Sequence, residues 1–196
     1  MIDSSVVQSL REFEWAEIIR KCNRLSDLNG AQWLFMKGLV TELIVEKHSW
    51  TPAGDGLTYV GDAHMDYDWP RYGMSVELKS NMSSTMHRAD GRLRKSYRIR
   101  LSNTRATNGK ATPPDEHVAD ILIAVYRDGA FAVDRETVQL CSIWSGGGFD
   151  VNIPSERVLA LTSRPIAIED ASYDYGLRDD IMAMIRRKVD IEMDRD

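Results

Sequence analysis

The stretch MSVELKSN, residues 74–81, alternates as a β-strand does, with Val76 and Leu78 on one face and Glu77 and Lys79 on the other. A carboxylate and an ammonium sharing a face of an otherwise apolar strand need either water or a chemical partner. Just upstream, WPRYG at 69–73 holds a proline that presets φ and a glycine that tolerates the left-handed conformation, which is turn chemistry. Before that, LTYVGDAHMDYDW at 57–69 alternates again, so the three segments predict a β-hairpin. If Pro70–Gly73 form the loop, Trp69 faces Met74, Asp66 stands opposite Glu77, and His64 stands opposite Lys79. Cross-strand partners have Cβ atoms roughly 5 Å apart, so two carboxylates would meet beside one lysine. A tighter turn at Tyr72-Gly73 brings Asp68 to that place instead, and a longer loop or a bulge brings Asp62; the three acids read as alternating on one strand face.

Working outward, Ser4 or Ser5 can cap a helix over about 6–22, and a second helix is expected over about 31–47, with Asn29-Gly30 between them. TPAGDG then marks a turn. Beyond the hairpin, ADILIAVYRDGAFAV reads as two strands around Arg127-Asp128-Gly129. Further strands are expected over 139–144 and 158–161, a flexible connection at SGGG (145–148), and a last helix over about 176–193. Helices first, strands in the middle and a helix last predict one α/β domain over 1–196, a central mixed β-sheet flanked by helices. Its parts are N-terminal helices at 1–50, the hairpin at 57–81 and a basic segment at 86–112.

The composition, 43% hydrophobic and 28% charged, is that of a globular chain and excludes a disordered or fibrous one. Cys22 and Cys141 are too few and too far apart for a disulfide framework or a thiolate zinc cage, and no apolar run approaches a membrane span. A cytoplasmic protein without a membrane partner is the expectation. His48, His64, His87 and His117 lack metal-ligand spacing and read as structural or surface residues. Net charge is −5, yet eight Lys or Arg against the single acid Asp90 fall between Met86 and Thr112, a local excess that suits phosphate recognition. Arg94, Lys95, Arg98 and Arg100 lie in an alternating, strand-like part of that segment, where charges can meet phosphates. Asn103, Arg105, Asn108 and Lys110 lie in a polar loop before Pro113-Pro114, and Arg and Asn are the side chains that read guanine and adenine edges.

Two acids beside a lysine are costly to bury unless a divalent cation neutralises them, and one or two carboxylates completed by water or substrate phosphate are how proteins hold Mg²⁺. Asp66 or Asp68 with Glu77 would hold the metal, and Lys79 would orient an attacking water or stabilise charge on a phosphate.

Asp66…Glu77-Leu78-Lys79 resembles the PD-(D/E)xK nuclease motif, the shared core of many type II restriction endonucleases and of the mismatch-repair strand-nicking endonuclease. Residues 36–44, MKGLVTELI, resemble the family's helix before the hairpin, which often supplies a further acid, here Glu42. By motif the resemblance covers about residues 33–81, and by order of elements it reaches about 133; no proline precedes the acid. It implies a restriction-endonuclease-like core and Mg²⁺-dependent hydrolysis of double-stranded DNA to 5′-phosphate and 3′-hydroxyl ends. Asp66, Glu77, Lys79 and Glu42 become the expected catalytic set, and Asp66, Asp68 and Glu77 the expected metal ligands. A homodimer cutting both strands of a palindromic site, with a cognate DNA methyltransferase as a genetic rather than a bound partner, completes the expectation. A nicking or repair nuclease of the same chemistry, and a non-catalytic DNA-binding protein, are the alternatives.

Overall fold

The run ILIAVY forms a strand buried along its whole length in the computed structural model. The model describes residues 1–26, 31–62, 65–81, 87–88, 95–102, 118–126, 129–145 and 148–162, with 179, 182, 183, 185, 186 and 190. A strand apolar on both faces belongs in the middle of a covered sheet. In chain order the elements are α1 (Ser4–Glu12), α2 (Trp15–Ser26), α3 (Ala31–Ser49), β1 (Thr58–Asp62), β2 (Met65–Trp69), β3 (Met74–Asn81), β4 (His87–Arg88) and β5 (Lys95–Ser102). They continue with β6 (Ile121–Tyr126), β7 (Ala130–Asp134), α4 (Arg135–Cys141), β8 (Ser142–Ser145), β9 (Gly148–Pro154) and β10 (Leu159–Ala160). The described positions between 179 and 190 are helical, in keeping with the expected last helix.

Six strands form a mixed sheet in the order β1-β2-β3-β6-β7-β10, in which β3 and β6 run parallel and the other neighbours antiparallel. Val76 and Leu78 of β3, Tyr67 and Trp69 of β2, and Ile121, Ile123 and Val125 of β6 face the helices, where they pack on Leu10, Ile18, Ile19, Leu43 and Ile44. The opposite face is covered differently from expectation. It meets helix α4, through Val138, and a second, antiparallel sheet, β4-β5-β9-β8, whose Tyr97, Ile99, Leu101, Val151 and Ile153 pack on Leu122, Ala124 and Tyr126 of β6. The chain is a mixed α/β domain with α1–α3 on one face of the main sheet and the second sheet with α4 on the other.

Three local expectations change for identifiable reasons. The single helix over 6–22 is two helices, because Phe13 is extended (ψ 144°) and sets its ring against Trp69, while the Trp15 indole donates to the Leu10 carbonyl at 2.6 Å. Asp3, not Ser4 or Ser5, is the N-cap, accepting the Ser5 amide. The run 57–69 is two strands, since Asp62 pairs back with Met65, so Asp62 lies on β1 while Asp66 and Asp68 lie on β2. The strand expected over 139–144 begins only at Ser142, because Asp134 caps α4 by accepting the Thr137 amide at 2.9 Å.

The parallel β3–β6 junction is pinned at its start by Asp120. One carboxylate oxygen accepts both the Ser75 amide (2.8 Å) and hydroxyl (2.9 Å), and the other pairs with Arg135 at 2.9 Å. Asp120→Ala is expected to lower stability by about 1–3 kcal/mol, the cost of stranding partly buried donors, read from the urea midpoint at unchanged slope.

Candidate active site

The turn behaves as its chemistry predicts: Gly73 adopts φ +59°, and β2 and β3 pair with Trp69 opposite Met74 and Tyr67 opposite Val76. The next pair in that register is Asp66 with Glu77. Here the ladder opens, and the Leu78 amide donates to Asp66 Oδ2 at 3.1 Å in place of a backbone carbonyl. The parallel pairing of β3 with β6 puts Glu77 beside Leu122 and Lys79 beside Ala124, on the face turned from the helices. Glu77 is 2% exposed, both its carboxylate oxygens are enclosed, and Lys79 forms an ion pair with it.

Burial, then the Glu77 charge, then that of Glu42 push the Asp66 carboxyl up to about 8. Burial alone would lower the Lys79 ammonium, but the charges of Glu77 and Asp66 outweigh it and hold the group above its ordinary value. Lys79 is therefore a firmly charged cation between two carboxylates. Glu42 acts on Asp66, on Lys79 and on Tyr67, whose phenol is raised by burial and then by Glu42, so the α3 acid belongs to the same electrostatic neighbourhood. A hydrogen bond from Thr41 Oγ1 to Ser80 Oγ at 3.1 Å ties that part of α3 to β3.

Asp66, Glu77 and Lys79 are thus brought together by the two strands of one hairpin, and Glu42 of α3 acts on them electrostatically. Asp68 is not in that group, for it faces Ser75 one pair nearer the turn than Tyr67 and is exposed. His64, Arg94, Asn103, Arg105, Asn108 and Lys110 lie outside the described residues, as does the side chain of Lys95 at the head of β5. Neither a family model nor a curated protein matches the sequence.

Arg98 and Arg100 are strand residues, as expected, but they point away from the main sheet, because Tyr97, Ile99 and Leu101 of the same strand fill the core between the sheets. Both guanidiniums pair with Asp150 on β9, at 3.1 and 3.2 Å. That anchor was not singled out in the sequence, where Asp150 follows a glycine run with no visible relation to residue 98. Glu46 was also passed over: it lies one turn after Glu42 on α3, is 5% exposed, and adds to the charge acting on Tyr67. The repeat Glu42-x-x-x-Glu46 within an apolar helix is the signal that could have found it.

Among the described residues, no three His, Cys, Asp or Glu stand as a ready metal-ligand group. The donor set still fits Mg²⁺, which keeps several waters and takes one or two protein carboxylates, as the enclosed Glu77 and the adjoining Asp66 can supply. A separate cleft of about 310 Å³ lies toward the turn end of the hairpin, lined by Phe13, His48, Trp50, Asp55, Trp69 and Arg71 and by none of the four clustered residues. His48, held between Lys21 (2.9 Å) and Glu14 (3.3 Å), is kept neutral by burial and by the Lys21 charge. Among the described residues, no helix is long and apolar enough to cross a membrane.

Proposed function

We propose that the chain is a Mg²⁺-dependent endonuclease of the PD-(D/E)xK type with a restriction-endonuclease-like core, a type II restriction enzyme acting on double-stranded DNA. One observation carries the reading: Asp66 and Glu77 meet on adjacent strands beside a charged Lys79, with Glu42 in electrostatic reach. Repelling carboxylates in a site that raises the carboxyl of one of them store free energy that a cation releases on binding.

Asp66 and Glu77 would hold the metal. Bound Mg²⁺ supplies Lewis-acid polarisation of the phosphodiester. Lys79, positive across the working pH range, donates to a phosphate oxygen or holds the attacking water in line, an interaction worth most where charge develops. Glu42 adds negative potential that favours the cation. Arg98 and Arg100, held in place by Asp150 and still 58% and 44% exposed, offer phosphate contacts on the outer face of the second sheet. The rest of the basic segment, including Arg94, Lys95, Asn103, Arg105, Asn108 and Lys110, would supply further backbone and base contacts.

The test is incubation with supercoiled plasmid in Mg²⁺ and in EDTA, followed by sequencing of the ends. Discrete linear products in Mg²⁺ alone, with 5′-phosphates at one repeated sequence, are expected. Nicked circles alone would point to a strand-nicking enzyme, and unchanged plasmid over a range of sequences and divalent ions would leave a binding protein.

A further inference from the structure

α3 enters the core without a single buried stripe. Over residues 40–46, nearly two turns of helix, every residue but Glu42 is buried. An amphipathic helix is turned into place by its one apolar face, whereas apolar contact discriminates weakly among the rotations of a helix buried round most of its girth. A buried hydrogen bond does discriminate, because its geometry is lost when the helix turns and the stranded groups are then expensive.

Thr41 supplies that bond. Its side chain is buried, and its hydroxyl donates to Ser80 Oγ of β3 at 3.1 Å. A side-chain hydrogen bond also links Thr41 to Cys22 of α2, whose thiol is pushed up to about 12 by burial and so stays protonated. A protonated thiol donates, Thr41 gives its own hydrogen to Ser80, and α2, α3 and β3 are joined by one chain of polar contacts. Ser80 directly follows Lys79, and Glu42 directly follows Thr41. Successive helix residues stand about 100° apart round the axis. With Thr41 seated on β3, Glu42 is carried toward the neighbouring β2, where its charge acts on Asp66 and Tyr67.

We propose that the hydrogen bond between Thr41 and Ser80 is the positioning contact of the candidate site, fixing the rotation of α3 on the sheet and thereby the place of Glu42 beside Asp66. Thr41 and Ser80 are positioning residues that act through Glu42. What Glu42 does for a cation rests on the nuclease reading, whereas where Glu42 stands does not. An apolar pair could fill the same space, but it would leave neighbouring rotations of α3 close in energy.

Two measurements on the full chain test the contact. The first needs no metal: thermal melts of Thr41→Val, Ser80→Ala and Glu42→Gln, and of each hydroxyl variant combined with Glu42→Gln. The shift in melting temperature that Glu42→Gln causes by itself should shrink by about half or more once either hydroxyl is gone, although Ser80 lies on a different element. The second is calorimetric titration with Ca²⁺. Thr41→Val and Ser80→Ala should each weaken binding by ~10-fold, as losing a group that orients a metal-site carboxylate does. Neither should weaken it further in the Glu42→Gln background, and Thr41→Ser, which keeps the hydroxyl, should bind as the wild type does. Additive melting shifts, Ca²⁺ affinity that Thr41→Val leaves unchanged or weakens equally without Glu42, or a Thr41→Ser variant no better than Thr41→Val would each overturn the proposal. A wild type that binds no Ca²⁺ would overturn the nuclease reading instead, and the melts would then decide the contact.

Discussion

Glu77→Gln and Lys79→Met are both expected to remove cleavage of plasmid DNA while shifting stability in opposite directions. Activity should fall by ~10²–10³-fold or more in each, the scale of losing one electrostatic stabiliser at a reacting phosphate. Stability separates their roles. Glu77 is enclosed beside a second carboxylate, so making it neutral relieves repulsion at Asp66 and leaves that acid matched with Lys79. At pH 8 without metal, Glu77→Gln should stabilise the fold by about 1–2 kcal/mol, as expected where a buried ion cluster loses a charge it could not fully compensate. Lys79→Met keeps the aliphatic stem but strands two acids together. Its cost should be about 2–3 kcal/mol, below the ~3–5 of a fully enclosed pair because Lys79 is 30% exposed. Thermal melts beside plasmid cleavage decide it. Wild-type cleavage in either variant would falsify the catalytic assignment, and stability changes of the same sign would show that the three groups do not share one field.

A second large effect links the site to pH and to metal. The Asp66 carboxyl, raised to about 8 from an ordinary 3.8 by burial, Glu77 and Glu42, keeps its proton in the folded chain where the unfolded chain has released it. Between those values the folded state binds more protons, so Asp66 makes stability fall as pH rises, by about 1.4 kcal/mol per unit for a whole proton and by a few kcal/mol in all. His48 acts in the other sense. Its folded value lies below the ordinary 6.5, so it costs stability only when pH drops low enough to protonate the unfolded imidazole. The clean readout is therefore the difference between wild type and Asp66→Asn in melts from pH 5 to 8. Wild type should lose ground steadily to the variant as pH rises. Ca²⁺ or Mg²⁺ at pH 8 should restore much of the loss, by binding where the proton was, and should do little at pH 5. Parallel pH curves for the two proteins, or a divalent-ion effect that survives Asp66→Asn, would remove Asp66 from the metal site.

Much of this site was written locally. The alternation of 74–81 placed Glu77 and Lys79 opposite Val76 and Leu78, and Pro70 and Gly73 fixed a turn that sets Trp69 against Met74, because a two-residue period and a left-handed glycine depend on near neighbours alone. From that register Asp66 follows as the acid opposite Glu77, although composition could not separate it from Asp68 or Asp62. Tertiary structure decided the rest. Asp62 is set apart because it lies on β1, paired back with Met65 of β2, and the break after Glu12 exists because Phe13 must reach Trp69, over fifty residues away in the chain. The second sheet could not be read from periodicity, since β5 and β9 pair across a separation of some fifty residues and only their joint burial against β6 makes either a core strand. The same burial turned Arg98 and Arg100 outward onto Asp150. Which residues alternate is a property of the chain by itself, whereas which face is inside is decided only when another element arrives to cover it.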